Sequence, residues 1–145
     1  MSPALSNRIL IVDDEPANVE LLQAFLKGIA GEMRGVTDSR QVEAVFSEFQ
    51  PDILLLDMHM PYVDGLEVLR RLRSARESLG YLPVVVLTAD TTSVARNSAL
   101  ILGADDFLTK PLDRQEVILR VRNLLRTRHL FEEVARITGS MPVPE

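Results

Sequence analysis

Asp52-Ile53-Leu54-Leu55-Leu56-Asp57 decides how this chain folds. A continuous apolar run with no polar alternation marks a strand covered on both faces, as in a parallel sheet flanked by helices. The run ends on a carboxylate, and similar runs elsewhere also end on polar groups. Ile9-Leu10-Ile11-Val12 is followed by Asp13-Asp14, and Val84-Val85-Val86-Leu87 by Thr88-Ala89. Asp105-Asp106-Phe107-Leu108-Thr109 is followed by Lys110-Pro111. In an open parallel sheet the carboxyl ends of the strands share one edge, and ligands bind there. Three carboxylates, a hydroxyl and an ammonium are therefore expected to converge.

Helical patterns separate the runs. Pro16 suits a first helical turn, and Val19, Leu22, Phe25, Leu26 and Ile29 follow at helical spacing. Glu32–Thr37 is a weaker strand, expected at an edge. Asp38 or Ser39 can cap a helix whose apolar positions are Val42, Val45, Phe46 and Phe49. Leu66, Val68, Leu69 and Leu72 form the next helix. Val94–Leu102 is another, stopped by Gly103. Phe107–Thr109 is the fifth strand, and the last helix begins at Asp113. Five βα units imply a parallel sheet between helical layers, with right-handed crossovers. The expected fold is a flavodoxin-like α/β three-layer sandwich with strand order 2-1-3-4-5, which sets Asp13-Asp14 beside Asp57.

The 145 residues, 46% of them hydrophobic, suffice for one core without staples. The chain has no cysteine, which excludes disulfides and thiolate chemistry. The net charge of −5 argues against direct nucleic-acid binding by this domain. The apolar runs are shorter than a membrane helix needs. Met1-Ser2-Pro3-Ala4-Leu5-Ser6-Asn7-Arg8 lacks a signal-peptide pattern. A cytoplasmic protein without a membrane partner is expected.

The convergent set has a definite chemistry. Clustered carboxylates repel one another, and Mg²⁺ relieves that conflict while accepting oxygen ligands and bridging to phosphate. Asp57 is the nucleophile candidate, because aspartate can form an acyl phosphate. Lys110, the Thr88 hydroxyl and a backbone N–H near Ala89 would stabilise phosphoryl oxygens. Alone, each residue has a plain alternative: an Asp at a strand end is often a helix cap, and Phe107 could be an ordinary core aromatic. Asp64-Gly65 reads as a turn and helix start. His129 reads as a solvated helix residue.

Taken together, Asp13-Asp14, Asp57, Met60-Pro61, Asp64-Gly65, Thr88-Ala89 and Lys110-Pro111 resemble a two-component response-regulator receiver domain over residues 7–128. The resemblance implies that Asp57 is the phosphoacceptor. It implies Mg²⁺ held by Asp14, Asp57 and the His59 backbone carbonyl, with Asp13 acting through a water. Thr88 and Phe107 would be the switch residues, and His59 and Asp90 would tune phosphoryl lifetime. The Lys110–Pro111 peptide would be cis. The implied donor is a sensor histidine kinase or phosphotransfer protein. The implied output is a repacking of the face made by the fourth helix, fifth strand and fifth helix, with homodimerisation there or through the C-terminal helix. The segments Phe107–Asp113 and Arg120–Arg126 are similar to receivers joined to HD-GYP or diguanylate cyclase domains, or carried by hybrid kinases, which leaves two readings: the receiver portion of a longer protein with a downstream effector domain, or a stand-alone regulator.

Two other readings use parts of the same set. A haloacid-dehalogenase-like phosphatase needs a second Asp two positions after the nucleophile, where this chain has His59. A pseudo-receiver, which binds partners without phosphorylation, usually lacks one of the acidic, Thr or Lys positions, and all stand here. The chain is divided into a receiver at 1–128 and an extension at 129–145. In the last helix Val117, Val121, Leu124, Arg128, Phe131 and Ala135 recur with 4-3 spacing, a coiled-coil-like seam, with Leu130, Val134 and Ile137 as an alternative. Turns beyond about Arg126 would project from the sheet or fold back on their own core. Thr138–Glu145 reads as a loosening end or a linker.

Overall fold

The computed structural model describes residues 7–79, 81–90 and 92–139, with 74–79 described by backbone alone. The readings of the first six residues and of the tail from 140 onward lie outside the described residues.

The five strands are β1 (Arg8–Val12), β2 (Glu32–Val36), β3 (Ile53–Asp57), β4 (Val84–Thr88) and β5 (Asp106–Thr109). They form one parallel sheet in the order β2-β1-β3-β4-β5. The helices are α1 (Pro16–Leu26), α2 (Val42–Phe49), α3 (Gly65–Leu79), α4 (Ser93–Ile101) and α5 (Arg114–Thr138). The fold is the flavodoxin-like arrangement that the apolar runs predict.

Alternate residues of the central strands divide the core into two layers, because successive strand side chains point to opposite faces. Leu10, Val12, Leu54, Leu56, Val84 and Val86 pack under α2, α3 and α4 through Val42, Phe46, Val68, Leu72 and Ala99. Ile9, Ile11, Ile53, Leu55, Val85 and Leu87 pack under α1 and α5 through Leu22, Leu26, Val117, Val121 and Leu125. Every residue of β3 and β4 is buried, which explains why those runs show no polar alternation.

Local chemistry sets the helix starts. The Asp113 carboxylate accepts from the Glu116 N–H at 2.9 Å, and Asp64 accepts from Glu67 N–H at the same distance. Thr92 caps α4 through the Ala95 N–H. Gly103 ends the turn after α4 with φ 98°, a left-handed conformation that glycine adopts at no steric cost. The helix sought after Asp38 begins differently: Asp38 caps a single 3₁₀ turn (Ser39–Gln41) ahead of α2, and Ser39 is buried.

α5 is longer than the sheet requires. Beyond Arg126 one side still touches the domain: Arg128 Nη1 lies 3.0 Å from Asp52 Oδ1, and the Phe131 ring sits 5.1 Å from that of Tyr81. The other side leaves Leu130, Val134 and Ile137 exposed. No described helix is long and apolar enough to cross a membrane.

Candidate functional site

The register of the sheet builds the site. Val12 is aligned with Leu56, so Asp13, one residue further, stands at the level of Asp57. Thr88 is aligned with Thr109, so Lys110 follows at the same edge. Four strands thus deliver their polar ends to one place.

Asp13, Asp14 and Asp57 each place an oxygen within 4.8 Å of the others. Asp13 and Asp57 are buried, and Asp14 is half-buried. The Lys110 ammonium reaches in to 3.0 Å from Asp13 Oδ2 and 3.3 Å from Asp57 Oδ1. Asp13 Oδ1 accepts from the Glu15 N–H at 2.9 Å, whereas Asp13 Oδ2 has no hydrogen bond and only the ion pair with Lys110 beside it. Asp57 Oδ1 accepts weakly from the His59 N–H at 3.3 Å.

The electrostatics follow from this crowding. Burial, the Asp13 charge and a hydrogen bond shared with Asp14 push the Asp57 carboxyl up to about 6, against smaller opposing effects of Lys110 and the His59 N–H. Burial works against the Lys110 ammonium, yet its contacts with Asp13 and Asp57 outweigh that and raise its pKa. One ammonium therefore compensates three carboxylates incompletely. A buried carboxylate oxygen with only the Lys110 ammonium beside it among the described residues, next to two further carboxylates, is a hard all-oxygen donor set, which suits a divalent cation such as Mg²⁺.

The remaining site residues are placed less uniformly. Thr88 is buried at the same edge, but its hydroxyl accepts from the Asp90 N–H at 2.9 Å and donates to the Asp90 carbonyl at 3.3 Å. The hydroxyl is thus committed to its own loop. Ala89 is exposed beside it. Asp90 is a turn residue whose carboxylate accepts from the Thr92 N–H at 2.9 Å. That bond and one to the Thr92 side chain, with a smaller contribution from His59, hold it below the usual range. The His59 side chain is exposed. Phe107 is half-buried against the α2–α4 core layer, and the Arg96 guanidinium lies 5.2 Å from its ring centre. The Lys110–Pro111 peptide is cis, as the resemblance implies.

Two features escaped the sequence reading. Gly65 is not only a helix start: a Cβ there would fall 2.3 Å from the Asp57 carbonyl oxygen and 2.7 Å from Met58 Cα. It allows α3 to approach the backbone that carries Asp57. Ser39 is the second, because its hydroxyl bonds to a loop more than twenty positions away. The Asp64-Gly65 pair hinted at the first. No local signal marks the second.

Known proteins agree with this geometry. The sequence pattern of the response regulator receiver domain matches residues 9–122. The transcriptional regulatory protein TrcR of Mycobacterium tuberculosis is 41% identical over 128 residues, which cover 88% of this chain and 49% of TrcR. The response regulator PleD of Caulobacter vibrioides is 40% identical over 94% of this chain and 30% of its own length. The chain thus spans about half, or less, of these relatives. Among solved structures, the receiver domain of NtrX from Brucella abortus superposes with a TM-score of 0.73 at 29% identity, covering 82% of this chain and 98% of that one. The signal receiver domain of a signal transduction histidine kinase from Syntrophus aciditrophicus gives 0.74 at 30% identity, covering 84% and 92%. With the sheet order, the acidic cluster and these relatives in agreement, the chain belongs to the response regulator receiver domain family of two-component systems.

Proposed function

We propose that this chain is a phosphorylation-driven switch that takes a phosphoryl group onto Asp57 from the phosphohistidine of a sensor kinase or phosphotransfer protein. The observation that carries this is the buried Asp57 carboxylate at the mouth of the central strand, with Lys110 3.3 Å away and two more carboxylates beside it. In the transfer an Asp57 oxygen forms the new O–P bond as the P–N bond of the donor breaks, and the imidazole leaves with the electron pair and takes up a proton. Asp14, Asp57 and the His59 carbonyl would hold Mg²⁺, with Asp13 in support. When bound, the ion neutralises charge on the carboxylates and on the transferring phosphoryl oxygens.

The chain's own residues do the rest. Lys110 binds a phosphoryl oxygen at the cost of its contact with Asp57. Thr88 reaches the phosphoryl group only by giving up both bonds to Asp90, and Ala89 lends its N–H. Phe107 leaves its place under Arg96 and turns inward. His59 and Asp90 flank the approach of water and tune the lifetime of the acyl phosphate. The phosphoryl group shifts the population because it interacts better with the rearranged loop than with the resting one. The output face carries exposed Val94, Leu100 and Ile101 on α4 and Leu119 on α5, apolar surface suited to an isologous contact. The receiver occupies 1–128, and 129–145 leads to a second copy or to an effector domain. A cytoplasmic location and the absence of direct nucleic-acid contact accompany this reading.

Incubation with Mg²⁺ and acetyl phosphate, followed by intact mass, tests it. A Mg²⁺-dependent gain of one phosphoryl in the wild type and none in a folded Asp57→Asn variant is the expected result. A phosphoryl group that still appears on the variant refutes the role of Asp57. If the wild type gains none even from a phosphorylated histidine kinase, the chain is a phosphorylation-independent interaction module.

A further inference from the structure

Ser39 sits in the turn between β2 and α2, yet its side chain does not serve that turn. It is only 6% exposed. Its Oγ donates to the Pro61 carbonyl at 2.6 Å and accepts from the Val63 N–H at 3.1 Å. One hydroxyl thus grips both sides of Tyr62 in the loop that joins β3 to α3. Tyr62 itself has φ 71°, a left-handed conformation that an aromatic residue seldom adopts, and its side chain is 74% exposed. Such a backbone persists only where neighbours over-determine it.

Here the neighbours are consecutive. The Arg40 guanidinium lies 3.9 Å from the centre of the Tyr62 ring. Arg40 is itself held by Asp38, through Nε at 3.0 Å and Nη2 at 2.8 Å. At the base of the loop the Gly65 N–H donates to the Met58 carbonyl at 2.9 Å. The loop between these ties begins with His59, whose N–H contacts Asp57 Oδ1.

We propose that Ser39, assisted by Arg40, is a positioning residue for the cation site: it straps the β3–α3 loop so that the His59 peptide is held in place beside Asp57. This rests on the reading of the His59 carbonyl as a Mg²⁺ ligand. Mg²⁺ demands near-ideal octahedral geometry, so a carbonyl on a loose loop contributes little, and removing a group that fixes a ligand lowers metal affinity. The strap acts at a distance, through the loop backbone, and touches neither the ion nor the phosphoryl group.

The test is calorimetric titration of MgCl₂ into the wild type, Ser39→Ala and Arg40→Ala, with amide hydrogen exchange of each in EDTA. Ser39→Ala is expected to weaken Mg²⁺ binding about 5–10-fold and Arg40→Ala about 2–3-fold. In both, exchange should quicken at the amides of His59, Met60, Tyr62 and Val63 while β1, β3 and β4 stay protected. A general loss of stability would quicken the strands too and leave the affinity of the folded fraction unchanged. Wild-type binding with affinities of the folded variants within 1.5-fold overturns the strap. Absence of wild-type Mg²⁺ binding overturns the underlying cation site instead. Should Ser39→Ala fail to fold, Arg40→Ala, altered only at the surface, decides alone.

Discussion

Single residues set the balance at the site. The Asp57 carboxyl, pushed up to about 6 from its ordinary 3.8, binds more protons folded than unfolded between about pH 4 and pH 6. Stability from this group is therefore present below that window and is lost as pH rises through it. A shift of about two units corresponds to an upper bound of about 3 kcal/mol at neutral pH without a cation. Asp57→Asn is accordingly expected to stabilise the domain by about 1–3 kcal/mol in EDTA at pH 7.5, with the gain vanishing near pH 4. Urea unfolding at the two pH values checks this, and saturating Mg²⁺ should narrow the difference. Lys110→Ala removes the ammonium that faces the buried carboxylates, so the EDTA form should lose about 3 kcal/mol. It should keep Mg²⁺ binding, become more dependent on Mg²⁺ for stability, and lose phosphorylation-dependent association. Unfolding curves with and without Mg²⁺, and light scattering after acetyl phosphate, measure the two effects.

Elements set where those residues stand. The apolar runs of β1, β3 and β4 were legible because strands buried on both faces cannot alternate, and β2, edge-lying and mostly not buried, gave the weaker signal for the converse reason. The ends of α4 and β5 shift by one residue from their expected limits, because helix and strand ends are decided by caps and partners rather than by periodicity. The contact of α3 with β3 rests on Gly65, whose missing Cβ admits the Asp57 carbonyl. Gly65→Ala is expected to cost about 1–3 kcal/mol by overpacking. It should also weaken Mg²⁺ binding, because the displaced backbone belongs to Asp57 and Met58. Denaturant midpoints with Mg²⁺ titration test both. In α5 the Phe131→Ala change removes the Tyr81 contact and should cost about 0.5–1.5 kcal/mol beyond the area lost. If the helix past Arg126 were merely an appendage, its thermal midpoint would equal the wild type's.

At the scale of the molecule, the long helix presents two faces with different fates. Arg128 and Phe131 dock on the start of β3 and the segment before β4, whereas Leu130, Val134 and Ile137 face outward. The 4-3 seam from Val117 to Phe131 is thus largely spent on the chain's own core, and the alternative seam is the one left exposed. Charged substitution at Leu130 and Ile137 together is expected to abolish self-association through this helix while leaving the unfolding free energy within about 0.5 kcal/mol of the wild type. Sedimentation with parallel denaturation checks it. Persisting self-association would place the contact on α4 and Leu119 instead.

The sequence by itself determined the sheet class, the strand order and the sheet edge on which Asp13, Asp14, Asp57, Thr88 and Lys110 stand. Burial on both faces and parallel pairing are written into continuous apolar runs, and the polar residue after each run inherits the sheet edge. Only the tertiary structure decided the rest. It turned the Thr88 hydroxyl toward Asp90, left Asp13 Oδ2 without a hydrogen bond, tied Ser39 to Pro61 and Val63, and divided α5 into a docked and an open face. Those outcomes depend on which groups distant in sequence meet within hydrogen-bonding reach, and periodicity, a property of neighbours along the chain, carries no record of such meetings.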